Sequence, residues 1–414
     1  MKEVLTVRKF YLLRGIPGSG KSTWIKKNNL EDYTISTDKI RIMFNTPDKE
    51  WNFNLNSTKE DISQENNKEV FEFIDKVLEY RFMNENTTIL DATNIKLKDL
   101  NKYYKMAKKF NYKVYVIDFM QNTNLNDIKN NNLNRDHYVP ETYLDKQYNL
   151  YNSIKQEAIA KGINRDLVMN SGGLPKKFNV IRPNEFNNTI HYYFNDMNEY
   201  EKVKVIGDIH SCATPLKKVL GKYNKDILYI FLGDYFDRGT EPIETMKILN
   251  NYLDKRNAIF LKGNHEIHIQ KYIADIKNGK GYEFMSKTLP KLKSQNDIDT
   301  DKFLRKLLNR LQDVSLISFD NKDFIFTHAG LMPEQLDFDK YGLHNSNYFI
   351  KGLGKYELDI DKKFNKIGKN KNIIQIHGHR NSFLHSEDEF KYSYNLEQKV
   401  EFGNKLGALE IIKN

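Results

Sequence analysis

Three short segments between Lys204 and Glu266 place oxygen and imidazole side chains directly after apolar, β-branched runs. They read KVKVIGDIHS, LYIFLGDYFDRG and AIFLKGNHE. Each run has the composition of a buried strand and is followed at once by glycine and by side chains of the metal-binding type. The strands are expected to end at Ile206, Leu232 and Lys262. The polar residues delivered past these ends are Asp208, His210, Asp234, Asp237, Arg238, Asn264, His265 and Glu266.

This set of side chains predicts a centre for two divalent metal ions. Oxygen and imidazole ligands without thiolates suit Mn²⁺, Fe, Zn²⁺ or Ni²⁺. One carboxylate between the other ligands can bridge two metals about 3.5–4 Å apart, which together activate a water and clamp a phosphate. The alternative is three ordinary strand–turn units of a parallel sheet, and three successive Gly-Asp or Gly-Asn turns argue against it.

A glycine-rich segment near the N-terminus has the spacing of a phosphate-binding loop. A short apolar strand at Phe10–Arg14 precedes GIPGSGKST, which opens a helix. In such a loop, backbone N–H groups converge on phosphates and the helix N-terminus adds positive potential. Lys21 is expected to reach the β- and γ-phosphates of ATP, and Ser22 to hold Mg²⁺. The predicted cofactor-binding residues are Gly15, Gly18, Ser19, Gly20, Lys21, Ser22 and Thr23.

The segment after a second predicted strand, Tyr33–Thr37, separates a kinase from other nucleotide-binding proteins. Asp38 could accept a proton from an attacking hydroxyl, and Arg41 could hold an acceptor phosphate with two hydrogen bonds. The alternative for this pair is a helix N-cap with a solvated arginine. Further along, Arg135 follows an Asn-rich helix and could neutralise charge on a transferred phosphoryl group. An isolated arginine of this kind is more often a surface residue.

The motifs GxPGSGKSTW, DxxR, DATN and NxxR followed by VPE resemble those of the 5′-hydroxyl polynucleotide kinases of phage and bacterial nucleic-acid repair. The resemblance covers about residues 8–160 and implies a P-loop domain with a parallel sheet. It implies that Lys21 takes part in catalysis and that Asp38 is the general base. It further implies that Arg41 contacts the phosphate of the acceptor and that Arg135 serves the transition state.

The motifs GDIH, GDYFDRG and GNHE, followed by HAG and GH, resemble the five motifs of the calcineurin-like binuclear metallophosphoesterases. The resemblance implies an α/β/β/α domain in which Asp234 bridges the two metals. It also implies that Arg238 grips the phosphate and that His265 is the acid or transition-state donor. The metal ligands implied by the resemblance are Asp208, His210, Asp234, Asn264, His328 and His379.

Four positions near these motifs need separate treatment. Ser211 stands where the family has glycine, so the first turn must tolerate a Cβ atom. Arg380 is expected beside the metals, where it could read an extra phosphate. Glu397 stands where aspartate is expected, and its role is left open. His377 could replace His379 as the ligand or support it from behind.

The length of 414 residues suffices for two or three domains of α/β class with cores of their own. Edge strands are expected at Asn179–Ile181 and Thr189–Phe194. The Lys-rich region 268–320 is expected to be helical, as an insertion or cap that controls access of substrate to the metals. The predicted divisions are a P-loop kinase domain at 1–165, a linker with edge strands at 166–200, and a metallophosphoesterase domain at 201–414.

The composition favours a globular protein that binds polyanions. The net charge of +10 favours nucleic acid as a partner, although biased codon usage also yields Lys- and Asn-rich chains. No apolar run approaches the roughly 20 residues of a membrane span, and the charged N-terminus lacks a signal segment, so no membrane partner is expected. Cys212 is the only cysteine, which excludes an intrachain disulfide and fits a reducing cytoplasm. A homo-oligomer is left open.

A 5′-kinase ahead of a metallophosphoesterase is the domain order of the bacterial RNA end-healing kinase–phosphatases, which this chain resembles. The resemblance implies phosphorylation of 5′-hydroxyl ends and removal of 3′-phosphate or 2′,3′-cyclic phosphate ends, with RNA favoured over DNA. Those enzymes carry a ligase module, and no such module follows in this sequence. A separate RNA ligase is therefore expected to act downstream.

Three other interpretations remain open at this point. A kinase that heals DNA ends would share nearly every motif. A phosphatase for phosphoproteins or diadenosine polyphosphates, with an accessory nucleotide-binding module, would keep the metal centre but would not need Asp38 and Arg41 as catalysts. A nucleic-acid-binding adaptor without activity would explain only the charge.

Overall fold

A computed structural model describes residues 8–52, 57–63, 65–121, 123–135, 137–274, 283–336, 342–381 and 392–413. The chain divides between Ile190 and His191 into two units, each with its own core. No helix among these residues is long and apolar enough to cross a membrane.

The first unit is built on one five-stranded parallel sheet in the order β2-β5-β1-β6-β7. Every residue of the central strand β1 is buried, because helices cover both faces of such a sheet. A separate hairpin, β3–β4, lies between two helices in the sequence. The strands are β1 (Lys9–Arg14), β2 (Thr34–Ser36), β3 (Asp48–Asn52), β4 (Ser57–Asp61), β5 (Thr88–Asp91), β6 (Lys113–Asp118) and β7 (Asn179–Ile181).

The helices of this unit connect the parallel strands, as βαβ connections require. The longest, α6, has 20 residues and follows a proline at its N-cap. The helices are α1 (Lys21–Lys27), α2 (Thr37–Phe44), α3 (Asn67–Met83), α4 (Leu97–Lys109), α5 (Leu125–Leu133), α6 (Glu141–Ala160), α7 (Arg165–Ser171) and α8 (Asn187–Ile190).

The residues expected to lead into the second domain belong to the first. Asn179–Ile181 is a strand, as predicted, but it pairs in parallel with β6 of the first sheet. The predicted strand at Thr189–Phe194 is wrong, because α8 ends at Ile190 and no strand follows before Asn195. Phe178 and Phe186 explain the difference, since both are buried and their rings contact Tyr104 and Trp24 of the first unit.

The second unit contains two five-stranded sheets, in the orders β12-β11-β10-β9-β17 and β16-β15-β14-β13-β8. The first is parallel except for β17, which pairs antiparallel with β9. In the second, only the β13–β14 pair is antiparallel. The strands are β8 (Asn195–Asp196), β9 (Lys202–Ile206), β10 (Ile227–Phe231), β11 (Ala258–Leu261), β12 (Leu311–Gln312), β13 (Val314–Phe319), β14 (Lys322–Thr327), β15 (Ile373–His377), β16 (Ser393–Asn395) and β17 (Ala408–Ile412).

The two sheets pack face to face and helices cover their outer faces. The core between the sheets joins Val205 and Ile230 of the first to Phe326 and Ile376 of the second. This arrangement is the predicted α/β/β/α sandwich. The helices are α9 (Ala213–Leu220), α10 (Pro242–Leu253), α11 (Glu266–Ile273), α12 (Leu289–Lys293), α13 (Thr300–Arg310), α14 (Asn347–Ile350) and α15 (Ile360–Lys371).

The described residues of the region 268–320 contribute several apolar side chains to the domain core. Residues 275–282 lie outside the described residues, and a π-helical turn at Phe284–Thr288 runs into α12. Phe284 and Phe303 are buried in the same cluster as Phe231 of β10. The prediction of helix throughout is wrong for Leu311–Gln312 and Val314–Phe319, which form β12 and β13. A role in substrate access stays a prediction.

Candidate active sites of the two units

The P-loop of the first unit has the shape of a phosphate cradle. Gly18 and Gly20 adopt positive φ angles of 83° and 94°, and a Cβ atom at Gly18 would lie 2.5 Å from the carbonyl oxygen of Ile128. Nζ of Lys21 donates to the carbonyl oxygen of Gly15 at 2.7 Å and curls over the loop. Oγ of Ser19 is buried and has no hydrogen-bond partner among the described residues. A buried, unsatisfied donor in this loop fits a bound phosphate oxygen.

The loop opens into a cleft of about 1060 Å³ that also contains the predicted acceptor residues. The structure therefore brings the nucleotide-binding and catalytic residues of the kinase prediction into one place. Of the predicted residues, those that line the cleft are Gly18, Ser19, Gly20, Lys21, Ser22, Thr23, Asp38, Arg41 and Arg135. Gly15 lies one turn back, where it accepts the Lys21 hydrogen bond.

Asp38 lies between two arginines. Nη1 of Arg41 donates to its Oδ1 at 3.1 Å, and Nη2 of Arg135 lies 3.8 Å from its Oδ2. Arg41 is fixed further by Asn67, whose Oδ1 accepts from Nη2 at 2.8 Å. Asp38 is not the helix N-cap, because Ser36 holds that position. A half-exposed carboxylate contacted by two arginines on the wall of the cleft is placed to receive a proton from a hydroxyl there.

Asp91 is a site residue that the sequence predictions did not include. It ends β5, is buried, and lines the same cleft. Burial raises its pKa, and the charge of Lys21 opposes this rise; burial likewise lowers the pKa of Lys21. A buried carboxylate in the same cleft as the P-loop serine suits Mg²⁺, so Ser22 and Asp91 would hold that ion. The signal was the DATN motif after an apolar strand.

In the second unit, several predicted metal ligands lie on strained turns past strand ends. His210, Asp234 and His379 have positive φ angles of 44°, 48° and 65°, which non-glycine residues rarely adopt. Ser211 also has a positive φ, 55°, so this turn does accommodate a Cβ atom. Such strain is retained where the surrounding structure fixes it, and functional sites are common examples.

The predicted ligands converge into overlapping groups whose donor atoms lie within 4.8 Å of one another. Asp234 and His210 each belong to two of the groups. Oδ1 of Asp208 is buried without a hydrogen-bond partner in the described part of the chain. Oδ1 of Asn264 lies 3.1 Å from Nε2 of His328. The groups are His210, Asp234 and His265; Asp234, His328 and His379; and Asp208, His210 and Glu397.

This donor set fits divalent metals. Buried carboxylates and imidazoles without thiolates suit Mn²⁺ and its neighbours in the first transition row. The unsatisfied Oδ1 of Asp208 is consistent with a role as a cation ligand. When bound, two such metals supply an activated water and charge neutralisation for a phosphate. The residues that would hold them are Asp208, His210, Asp234, Asn264, His328 and His379, with Glu397 beside the first two.

Glu266 organises the loops that carry these ligands. Its Oε2 accepts hydrogen bonds from the backbone N–H groups of Gly263 and Asp234, and its Oε1 accepts from that of Tyr235. The carboxylate is fully buried, and burial raises its pKa to about 7. Glu266 thus ties the GNHE turn to the GDYFDRG turn.

Two further pairs position the groups that would act on phosphate. Nδ1 of His265 lies 2.9 Å from Oδ2 of Asp237, so the ring presents its other nitrogen to the site. Arg238 donates through Nη1 to Oε1 of Glu401 at 3.0 Å, and the same nitrogen lies 3.3 Å from Nε2 of His210. Glu401 was not predicted, because nothing in its local sequence indicates a contact with Arg238.

The two residues flanking Gly378 have different roles. His379 is in a ligand group, and its backbone N–H donates to Oδ2 of Asp208 at 3.1 Å. His377 is fully buried and turns away, with Nε2 3.0 Å from Oδ1 of Asp361. The structure therefore favours His379 as the ligand.

The expectation that Arg380 reads a phosphate beside the metals is wrong. Its side chain is 1% exposed, and its guanidinium donates to backbone carbonyl oxygens. Nε donates to Ala329 at 2.9 Å, Nη1 to Lys355 at 2.7 Å and Nη2 to Leu353 at 2.6 Å. With its donors committed to the backbone, Arg380 holds a loop instead.

The chain belongs to the calcineurin-like phosphoesterase family, which matches residues 201–408. The first unit matches an AAA domain over residues 11–152. The protein therefore joins a kinase-like P-loop domain to a metallophosphoesterase domain, and the family implies divalent metals in the second.

Among curated proteins, similar sequences include dinucleoside tetraphosphatases. A symmetrical bis(5′-nucleosyl)-tetraphosphatase of Wigglesworthia glossinidia brevipalpis is 32% identical over 135 residues, 31% of this chain and 45% of that protein. An asymmetrical one, PrpE of Halalkalibacterium halodurans, is 22% identical over 164 residues, 36% of this chain and 64% of that protein. The chain spans less than half the length of the first of these relatives.

Solved structures with some likeness include a putative diadenosine tetraphosphatase, at 18% identity and a TM-score of 0.37, over 53% of this chain and 94% of that one. Another is a Pnkp1/Rnl/Hen1 complex, at 20% identity and a TM-score of 0.25, over 34% of this chain and 42% of that one.

Proposed function

We propose that this protein heals broken nucleic-acid ends with two activities. The P-loop unit transfers the γ-phosphate of ATP, with Mg²⁺, to a 5′-hydroxyl end. The metallophosphoesterase unit removes a 3′-phosphate or 2′,3′-cyclic phosphate with two divalent metals such as Mn²⁺. RNA is the favoured substrate, and the resulting 5′-phosphate and 3′-hydroxyl are the ends that a separate RNA ligase joins.

The observation that carries the kinase assignment is Asp38, held by Arg41 and Arg135 in the same cleft as Lys21. A carboxylate and a fixed arginine beside the P-loop are the groups that a kinase needs to deprotonate and hold a hydroxyl acceptor. Here Asp38 would accept the proton of the attacking 5′-hydroxyl while Arg41 would hold the adjacent phosphate. Arg135 would neutralise charge on the transferred group.

In the second unit, each residue has a task that suits a phosphate ester. Arg238, fixed by Glu401, would bind the phosphate oxygens, and His265, oriented by Asp237, would protonate the leaving alkoxide oxygen to give the free hydroxyl. The net charge of +10 adds attraction for a polyanion.

A second candidate is hydrolysis of dinucleoside polyphosphates by the metal centre. The similarity to bis(5′-nucleosyl)-tetraphosphatases favours it, although the shared region covers 45% of the relative. It leaves the acceptor side of the kinase cleft unexplained. Phosphoprotein substrates and DNA ends are further alternatives for the same chemistry.

The test uses a short RNA with a 5′-hydroxyl and a 2′,3′-cyclic phosphate, incubated with ATP and Mg²⁺ or Mn²⁺. Both ends are then resolved for the wild type, Asp38→Asn and Asp234→Asn. We expect Asp38→Asn to lose roughly 10²- to 10⁴-fold of the 5′ reaction only, since it removes the general base. Asp234→Asn should lose only the 3′ reaction.

Matched substrates separate the alternatives. A DNA strand with a 5′-hydroxyl and a 3′-phosphate tests the preference for RNA, and diadenosine tetraphosphate tests the second candidate. If the wild type processes the 3′ end but never phosphorylates a 5′ end, the kinase assignment fails and the tetraphosphatase alternative gains.

A further inference from the structure

Tyr356 lies at the edge of the metal-binding cluster without being one of its ligands. Its ring meets that of His379 edge to face, with centroids 5.3 Å apart and planes at 85°. The side chain remains 38% exposed. Burial raises its pKa to about 12, and the carboxylates of Glu397 and Asp208 add to this rise. Its ring therefore lies at the rim of the site, with part of it open to solvent.

The loop before Tyr356 is built to hold the ring there. The buried guanidinium of Arg380 donates to the carbonyl oxygens of Leu353 and Lys355. The loop wraps so closely that a Cβ atom at Gly352 would lie 2.3 Å from Nη2 of Arg380. Gly352 and Gly354 have φ angles of 69° and 75°, which only glycine adopts without strain. Burying the Arg380 guanidinium costs free energy, and the loop conformation requires two glycines with positive φ. The position of Tyr356 is therefore specifically stabilised, which indicates a function for its side chain.

We propose that Tyr356 is the stacking platform for the nucleobase next to the phosphate that the metal centre removes. It would make the site selective for phosphate esters of nucleotides over phosphate esters that lack a base. The inference rests on the proposed function and refines its substrate class. An exposed aromatic ring beside a phosphate site matches how proteins hold single-stranded bases of any sequence.

A test of base binding needs two phosphate esters, one with a nucleobase beside the phosphate and one without a base. Adenosine 3′-monophosphate carries one beside the phosphate, and glycerol 2-phosphate presents a secondary phosphate ester without one. Steady-state rates of both with the Mn²⁺-loaded full chain give separate values of kcat and KM. Tyr356→Ala removes the ring, Tyr356→Phe keeps it, and Tyr193→Ala serves as a control at another exposed tyrosine of the same unit.

We expect Tyr356→Ala to raise KM for adenosine 3′-monophosphate roughly tenfold or more, because stacking on an aromatic ring contributes about that factor per base. KM for glycerol 2-phosphate should change less than threefold, and Tyr356→Phe should behave as the wild type with both substrates. Calorimetric titration with Mn²⁺ should give the same stoichiometry and affinity for all variants, which reports on the metal site without turnover.

Two results would overturn the inference. One is an equal loss of kcat/KM with both substrates in Tyr356→Ala, which would make Tyr356 a support for the metal site. The other is a wild-type preference for glycerol 2-phosphate. Failure of the proposed function looks different, because the wild type would then leave RNA 3′-phosphate and cyclic ends untouched. The same variants would in that case be compared on diadenosine tetraphosphate and inorganic tripolyphosphate, with the same selective loss expected.

Discussion

Thr288 donates a hydrogen bond of 2.6 Å from Oγ1 to Oδ1 of Asp237. The other oxygen of this buried carboxylate lies against His265, the candidate general acid. A π-helical turn 51 residues further along the chain therefore fixes Asp237, which in turn orients His265. π-helical turns occur often at functional sites. Thr288 thus links this turn to the pair formed by Asp237 and His265.

Thr288→Val should lower kcat for substrates whose leaving group is an alkoxide. The change keeps the shape of the side chain but removes a hydrogen bond to Asp237, which loosens His265, and losses at such supporting contacts are roughly tenfold. An ester of p-nitrophenol should be unaffected, because its leaving group needs no proton. Comparison of kcat for nucleoside 3′-phosphate and p-nitrophenyl phosphate checks this, with Thr288→Ser as the control. An equal loss on both substrates would contradict it.

His379→Ala and His377→Ala form a matched pair around Gly378. The first should weaken Mn²⁺ binding by tenfold or more in calorimetry, since it removes a predicted ligand. The second should keep the metal affinity but lower the free energy of unfolding by about 2 kcal/mol, because Asp361 loses a buried hydrogen bond. Denaturant titrations of the metal-free proteins measure this. The reverse pattern would make His377 the ligand.

Arg135→Ala should reduce kcat of the 5′ kinase reaction roughly 10²-fold or more, because it removes charge that would stabilise the transferred phosphoryl group. Phosphatase activity should stay at the wild-type level. Arg165 is exposed at the start of α7, so Arg165→Ala is a control for loss of a surface arginine. Initial rates of phosphate transfer from labelled ATP to a 5′-hydroxyl oligonucleotide compare the two variants. Equal rates for the two variants would remove Arg135 from the mechanism.

The single cysteine should alkylate slowly and with a steep pH dependence in the native, metal-free protein. Burial raises the pKa of the Cys212 thiol to about 11, and the charges of Glu401 and Glu241 add to the rise. Only the thiolate reacts, so the rate with iodoacetamide should climb about tenfold per pH unit from pH 7 to 9. In urea the rate should level off above a pKa of about 8.5. Mass spectrometry measures the alkylation rate of the native and of the unfolded protein. A rate that levels off near pH 8.5 in the native protein would be inconsistent with a buried thiol.

The parts of the site that could be predicted are those whose signal is contiguous in the sequence. A buried strand followed directly by glycine and ligand residues identifies Asp208, Asp234 and Asn264 locally, since the strand end itself delivers them. The P-loop is equally local. These short-range patterns also fixed the α/β class, because parallel strands and their helices alternate along the chain.

The parts that could not be predicted depend on contacts between distant residues. Glu401 meets Arg238 across 163 positions in the sequence, and Thr288 meets Asp237 across 51. Arg380 looked like a phosphate reader because it follows a ligand; its burial depends on how the loop at 351–355 wraps around it. Asn179–Ile181 is a strand as predicted, but its assignment to the second domain failed for the same reason, since strand pairing is non-local.

The antiparallel pairing of β17 with β9 has a consequence for the order of events during translation. β9 begins at Lys202, yet its partner in the sheet, Ala408–Ile412, is synthesised some 200 residues later. The P-loop unit ends at Ile190 and can close its sheet while the ribosome is still at work. Nascent chains can therefore pass through a period in which the P-loop unit is folded and one edge of β9 is unpaired. During that period, only one of the two proposed activities can exist.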